Sequence, residues 1–202
     1  MPAGRPREFD VAKATDRAMT LFWRRGYDGT SLFDLTEALG ISRPSLYAAF
    51  GSKQGLFRKV LDRYLEGPSR YVVEALKAPS ARQVAEQLFY GAIKLNTNSR
   101  HPGCLMVRDA QACGTEAEMV KRELAAKLLE GERAIANRFR RAKIDGDLPG
   151  DCNPADLARY VRSVVYGLAV QAAAGATAKE LRKVADLALQ AWPRNKKRIR
   201  AS

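Results

Sequence analysis

The chain has 202 residues, of which 46% are hydrophobic and 28% charged, enough apolar material for a packed core and too little bias for intrinsic disorder. Its formal net charge of +13 favours a polyanionic partner, nucleic acid or an anionic surface. No uninterrupted apolar run approaches the ~20 residues of a membrane-spanning helix, Met1 to Asp10 lacks the apolar centre of a secretory signal, and three widely spaced cysteines do not make a disulfide framework, so a soluble cytoplasmic protein is expected.

Helical periodicity runs through the chain. Ala14, Ala18, Leu21 and Phe22 share one face of a first helix, closed by Gly26 and Gly29. Thr30 is the expected N-cap of a short second helix with Leu32, Leu35 and Leu39 inward, and Gly40 stops it. Ser42 caps a third helix, with Pro44 in its first turn and Leu46, Ala49 and Phe50 inward. Gly51 ends that helix, and Ser52 caps a fourth that buries Leu56, Phe57, Val60, Leu61 and Tyr64. Gly67-Pro68 breaks or kinks the chain. Further helices are expected over 80–97, 105–112, 115–143, 154–174 and 178–192, and no segment keeps the period-two alternation of a strand. The fold class is all-α: an N-terminal three-helix domain with a helix-turn-helix over residues 1–66, a larger helical domain over 67–193, and a basic tail over 194–202.

Two short helices joined by the tight turn Leu39-Gly40-Ile41 have the dimensions of a helix-turn-helix. With Leu46 inward, 100° per residue turns Ser45, Tyr47 and Ala48 outward, with Pro44 beside them and Arg43 in the first turn. This face is small or hydrogen-bonding and carries no acid, which suits the major groove, where arginine pairs well with guanine. Helix N-termini offer donors to phosphate, at Thr30 and Ser31, at Ser42, and at Ser52 and Lys53. Arg5 and Arg7 precede the first helix on an arm long enough to enter an adjacent minor groove. Phe22, Trp23 and Tyr27 are expected in the core.

The segments Phe22-Trp23-Arg24-Arg25-Gly26-Tyr27-Asp28-Gly29-Thr30-Ser31-Leu32 and Leu39-Gly40-Ile41-Ser42-Arg43-Pro44-Ser45-Leu46-Tyr47-Ala48-Ala49-Phe50-Gly51-Ser52-Lys53 resemble the N-terminal region of the TetR/AcrR family of transcriptional regulators. The resemblance is strong over residues 8 to 65; beyond them it covers helix lengths and order. It implies that the third helix reads bases, that Tyr47 and Lys53 hold phosphates, that the C-terminal domain binds a small inducer, and that the last two long helices form a four-helix bundle with a second subunit. The partners so implied are operator double-stranded DNA, a second copy of the chain and an effector, with no cofactor and no membrane.

Cys104 sits where a loop meets a helix, in Arg100-His101-Pro102-Gly103-Cys104-Leu105. Backbone N–H groups and positive charge from Arg100, His101 and Arg108 are expected to favour its thiolate. Some oxidant- and electrophile-responsive members of the family carry a similar Gly-Cys-Leu, which implies a sensing role for Cys104, with Cys113 as a partner for its oxidised form. The alternative is an inert buried thiol. A metal site from His101, Cys104 and Cys113 lacks the usual ligand spacing, so no metal is expected. Candidate walls for an effector pocket are Phe89, Tyr90, Met106, Met119, Phe139, Tyr160 and Tyr166. Small residues on the last two helices, among them Ser163, Gly167, Ala173 and Ala185, with Val184 and Leu187, suit close packing against a second subunit.

The rival readings are an enzyme and a nonspecific architectural nucleic-acid binder. A single histidine and the absence of a phosphate-cradling loop argue against catalysis. Five positive charges in 194–200 add salt-sensitive attraction to DNA under either nucleic-acid reading.

Overall fold

The computed structural model describes residues 9–98, 102–110 and 118–193, all of them helix, turn or loop with no strand. Arg5, Arg7, His101, Cys113 and the basic tail lie outside the described residues.

The first four helices are α1 (Val11–Arg25), α2 (Leu32–Leu39), α3 (Arg43–Phe50) and α4 (Lys53–Glu66). Local chemistry sets their ends. Asp10 starts α1 four residues before the apolar stripe, its carboxylate accepting from Ala12 N (3.0 Å) and Lys13 N (3.1 Å). Gly26 ends α1 at φ 74°, a conformation that side chains with a Cβ rarely adopt. Ser42 and Ser52 cap α3 and α4 as their positions predict.

One expected cap is corrected. Ser31, not Thr30, starts α2 through a reciprocal box with Asp34. Thr30 is fully buried, and its hydroxyl donates to Gly26 O (2.7 Å), a carbonyl left over at the end of α1. That local bond keeps Thr30 off the surface, so its side chain is not part of any DNA-facing set.

Gly67 breaks the chain, and a 3-10 turn (Pro68–Arg70) leads into the short α5 (Tyr71–Ala75). The remaining helices are α6 (Ala81–Asn96), α7 (Leu105–Ala110), α8 (Glu118–Ile144), α9 (Pro154–Ala173) and α10 (Ala178–Gln190). Two hydrophobic cores result. One is enclosed by α5, α6, α8, α9 and α10 around Leu88, Phe89, Phe139 and Trp192. The other lies under α1 to α4, around Phe22, Leu46, Phe57 and Tyr64.

The second core does not stop at residue 66. Leu105 and Met106 of α7 and Val120 and Leu124 of α8 complete it, all 5% exposed or less. Polar ties follow the same seam. Trp23 Nε1 donates to Gly103 O (2.8 Å), Arg108 Nη1 to Arg24 O (2.7 Å), and Tyr27 N to Asp109 Oδ1 (3.1 Å). On the outer side Arg58 Nε holds Glu123 (2.8 Å) and Lys127 reaches Asp62 (3.1 Å).

Candidate DNA-reading face and effector cavity

Helix α3 buries Leu46 and Phe50 and exposes Arg43, Pro44, Tyr47 and Ala48, with Ser45 at the margin. Tyr47 is 45% exposed, so its ring stands off the protein instead of filling the core. Ser42 Oγ receives the Ser45 amide (3.3 Å) and lies 2.9 Å from Ser45 Oγ, which fixes the first turn of the helix. Lys53, half-buried in the first turn of α4, holds its ammonium 4.2 Å from the centre of the Tyr27 ring, a cation–π contact. Ser31 is exposed, but its hydroxyl already serves the α2 cap, 2.5 Å from Asp34 Oδ2. That bond and the Arg25 guanidinium hold the Asp34 carboxyl down to about 2. Phe22, Trp23 and Tyr27 are buried, as expected of core aromatics.

Behind this head lies a cavity of about 290 Å³, between the ends of α4 and α6, the α5 segment, α7, α8 and α9. Of the aromatic and methionine walls expected from sequence, Met106 and Tyr166 line it. Phe89 and Phe139 are fully buried core residues, Met119 is 58% exposed, Tyr160 donates to Ala188 O and Tyr90 to Asp186. The wall instead uses Tyr64, Tyr71, Leu95 and Val165, with Asn96, Cys104 and Arg162 as its more buried polar members and Ser69, Lys127 and Glu130 toward solvent. The Tyr71 ring fits there because residue 91 is glycine; a Cβ at that position would come within 2.2 Å of the ring. Burial pushes the phenols of Tyr64 and Tyr71 well above the usual tyrosine range, so both act as neutral hydroxyls.

Cys104 stands on the cavity wall, half-buried, its Sγ 3.3 Å from Tyr64 Oη. It also lines a second cavity of about 260 Å³ with Trp23, Gly103 and Ala173. Arg108, expected to lend it positive charge, is turned instead to the C-terminal carbonyls of α1 at Trp23 and Arg24. Among the described residues no cluster of acidic, histidine and cysteine side chains suits a metal ion.

Sequence reasoning passed over Arg162 and Asp109. Arg162 is 9% exposed on α9, with Ala158, Val161, Val165 and Ala169 on the same apolar stripe. A charge at a stripe position was a legible signal. Asp109 is 2% exposed in the seam between α1 and α7, its Oδ2 without a hydrogen-bond partner. Burial, with Asp28 adding to it, lifts its carboxyl to about 6 against the Tyr27 amide, Arg108 and Lys53.

The head, its exposed third helix and the helical domain behind it match known proteins along nearly the whole chain. HTH-type transcriptional repressor ComR of Escherichia coli K12 is 31% identical over 193 residues, covering 94% of this chain and 92% of that protein. This chain belongs to the TetR family. The sequence profile for bacterial regulatory proteins of the tetR family matches residues 14–60, from the first turn of α1 to the middle of α4. The uncharacterized HTH-type transcriptional regulator YezE of Bacillus subtilis is 34% identical over 189 residues, 92% of this chain and 97% of that protein. A cysteine mutant of the TetR family regulator CifR, solved with 26 bp double-strand operator DNA, is 44% identical with a TM-score of 0.89, covering 94% of this chain and 100% of that one. The chain is thus a TetR-type transcriptional regulator, with the all-α fold and helix-turn-helix that its residues predict.

Proposed function

We propose that the chain is a dimeric repressor of the cytoplasm that holds a roughly palindromic operator and releases it when its cavity is occupied or Cys104 is modified. The observation that carries the reading is the face of α3, whose Arg43, Pro44, Tyr47 and Ala48 are exposed while Leu46 and Phe50 anchor the helix from behind. Arg43 and Ser45 face base edges; Ser42, Tyr47 and Lys53 hold phosphates, with Ser31 beside them. Arg5 and Arg7 supply further contacts from the N-terminal arm. A twofold pair of such heads reads two half-sites one helical turn or more apart. The exposed apolar side chains Val184 (48%) and Leu187 (64%) on α10, with Ser163 and Gly167 open on α9, supply the face for the second subunit. That the CifR mutant was solved on operator DNA supports the DNA half of the reading.

Release has two routes through one wall. A ligand in the cavity touches Met106 on α7, and α7 is packed into the core of the head. A group added to Cys104 displaces the Tyr64 hydroxyl, a side chain of that same core. Either event weakens DNA binding only as far as it distinguishes the bound and released arrangements.

The experiment is selection of the bound sequence from random duplex DNA, then binding by wild type and by Arg43→Ala, Tyr47→Ala and Lys53→Ala. Arg43→Ala is expected to cost about 1–3 kcal/mol and to relax sequence preference. The other two weaken all sequences alike and flatten the salt dependence. Selection that yields no discrete site, or a triple alanine variant that holds the site as wild type does, overturns the reading. For the thiol route, Cys104→Ser is expected to keep its operator under oxidant that releases wild type.

A further inference from the structure

Among the described residues, Arg162 is a buried cation that forms no ion pair with a carboxylate. Its Nη2 donates to the Leu128 carbonyl (3.3 Å), its guanidinium carbon lies 4.4 Å from the centre of the Tyr166 ring, and its Nε has no partner. The carboxylate that acts on it most, Glu132, is paired with Arg159 (3.4 Å). Burying a guanidinium on an apolar stripe is costly unless a counter-charge meets it. Burial accordingly works against its charge, pulling it below the ordinary arginine range. The cation–π contact with Tyr166 offsets part of that cost but gives the Nε–H no acceptor. Nine-tenths of the side chain is buried, and it forms part of the wall of the 290 Å³ cavity.

The rest of the wall defines what acceptor it would meet. Leu95, Met106, Val165 and Ala169 offer an apolar surface to a small organic body. Asn96, 2% exposed with its Oδ1 unpartnered, is a second buried polar group on the wall, and the more exposed Ser69, Lys127 and Glu130 complete its polar lining. The volume lies at the small end of the range for ligand pockets, about 300–1,000 Å³. We infer that the effector of this cavity is a small organic anion, a carboxylate with a compact apolar body, whose charged group is received by Arg162. The inference rests on the cavity being the effector site of the regulator proposed above, and it adds the ligand's chemical class. Arginine's planar fork suits a carboxylate in two-point contact, where a neutral alcohol of the same carbon skeleton meets only one donor. An anion there neutralises the one buried cation of the wall and ties α9 to whatever the ligand's body touches on α7.

The test uses the full-length protein and two matched pairs, hexanoate with 1-hexanol and benzoate with benzyl alcohol, measured by calorimetry and by thermal shift. At least one acid is expected to bind tenfold or more tighter than its alcohol. Arg162→Gln is expected to lose that preference, and Arg162→Lys to keep part of it. Acids and alcohols binding alike to wild type, no binding by either acid, or an Arg162→Gln protein that melts cooperatively and still prefers the acid would each overturn the inference. The wild-type comparison stands even where Arg162→Gln does not fold. Operator binding by the same preparations, without ligand, reads the regulator function separately: its loss in wild type removes that function, while its presence beside failed acid binding removes only the ligand class.

Discussion

Replacing Asp109 by asparagine isolates a buried charge at the joint between α1 and α7. In the wild type the folded protein lifts this carboxyl from 3.8 to about 6, chiefly by burial. A group whose folded value is raised stabilises the fold in its protonated form. Its contribution is therefore full below about 3.8 and is lost as the pH rises through about 6. The whole effect is about 3 kcal/mol, of which about 1.4 kcal/mol falls between pH 5 and pH 8. Asp34, held down to about 2, works in the opposite sense, supporting the fold above the normal carboxylate range and losing that support in acid. Comparing wild type with Asp109→Asn cancels Asp34 and every other shared group. Asparagine retains an Oδ1 for the Tyr27 amide, so the hydrogen bond seen at 3.1 Å survives the change. Urea unfolding at pH 5, 6, 7 and 8 should show the variant gaining on wild type by about 1.4 kcal/mol across that range, about 1 kcal/mol of it between pH 5 and pH 6 and almost none above pH 7. A difference that stays constant from pH 5 to pH 8 would refute the argument, because it would mean that Asp109 does not titrate in the seam.

Two further outcomes follow from the fold. Ser42→Ala removes the side-chain cap of α3 and should cost about 0.5–1 kcal/mol in urea unfolding, toward the lower end for a cap because the bond to Ser45 N is long at 3.3 Å; a neutral change would show that Pro44 alone sets the helix start. Val184→Glu with Leu187→Glu places two charges on the open face of α10 and should convert dimers to monomers in sedimentation, since each apolar side chain withdrawn from water is worth up to about 1.5–3 kcal/mol; dimers of unchanged strength would move the subunit contact elsewhere.

The parts of the molecule that sequence foretold are those fixed within a few residues. Ser42, Gly51 and Ser52 bound their helices because caps and left-handed glycines act locally. The outward turn of Tyr47 follows from Leu46 being inward, one step of 100° away. Thr30 failed because a competing local bond took it: its hydroxyl went back four residues to Gly26 O and left the cap to Ser31. The cavity was the least legible part. Phe89 and Phe139 have the same apolar character as a pocket wall, and only packing separates a filled core from a hollow one. Arg162 stood out as a charge among Val161, Val165 and Ala169, yet nothing nearby in sequence told that it faced a space beside Cys104 and Tyr71.

The shared core under the first four helices has a mechanical consequence. Because Leu105, Met106, Val120 and Leu124 are interleaved with Phe57, Val60 and Tyr64, the head cannot tilt on a loose tether at Gly67 while the rest stays still. It is bolted to α7 and to the first turns of α8 and must travel with them as one piece. In a twofold pair, a small shift of those supports becomes a change in the gap between two reading helices, and duplex DNA, stiff over its whole length, tolerates little change in that gap.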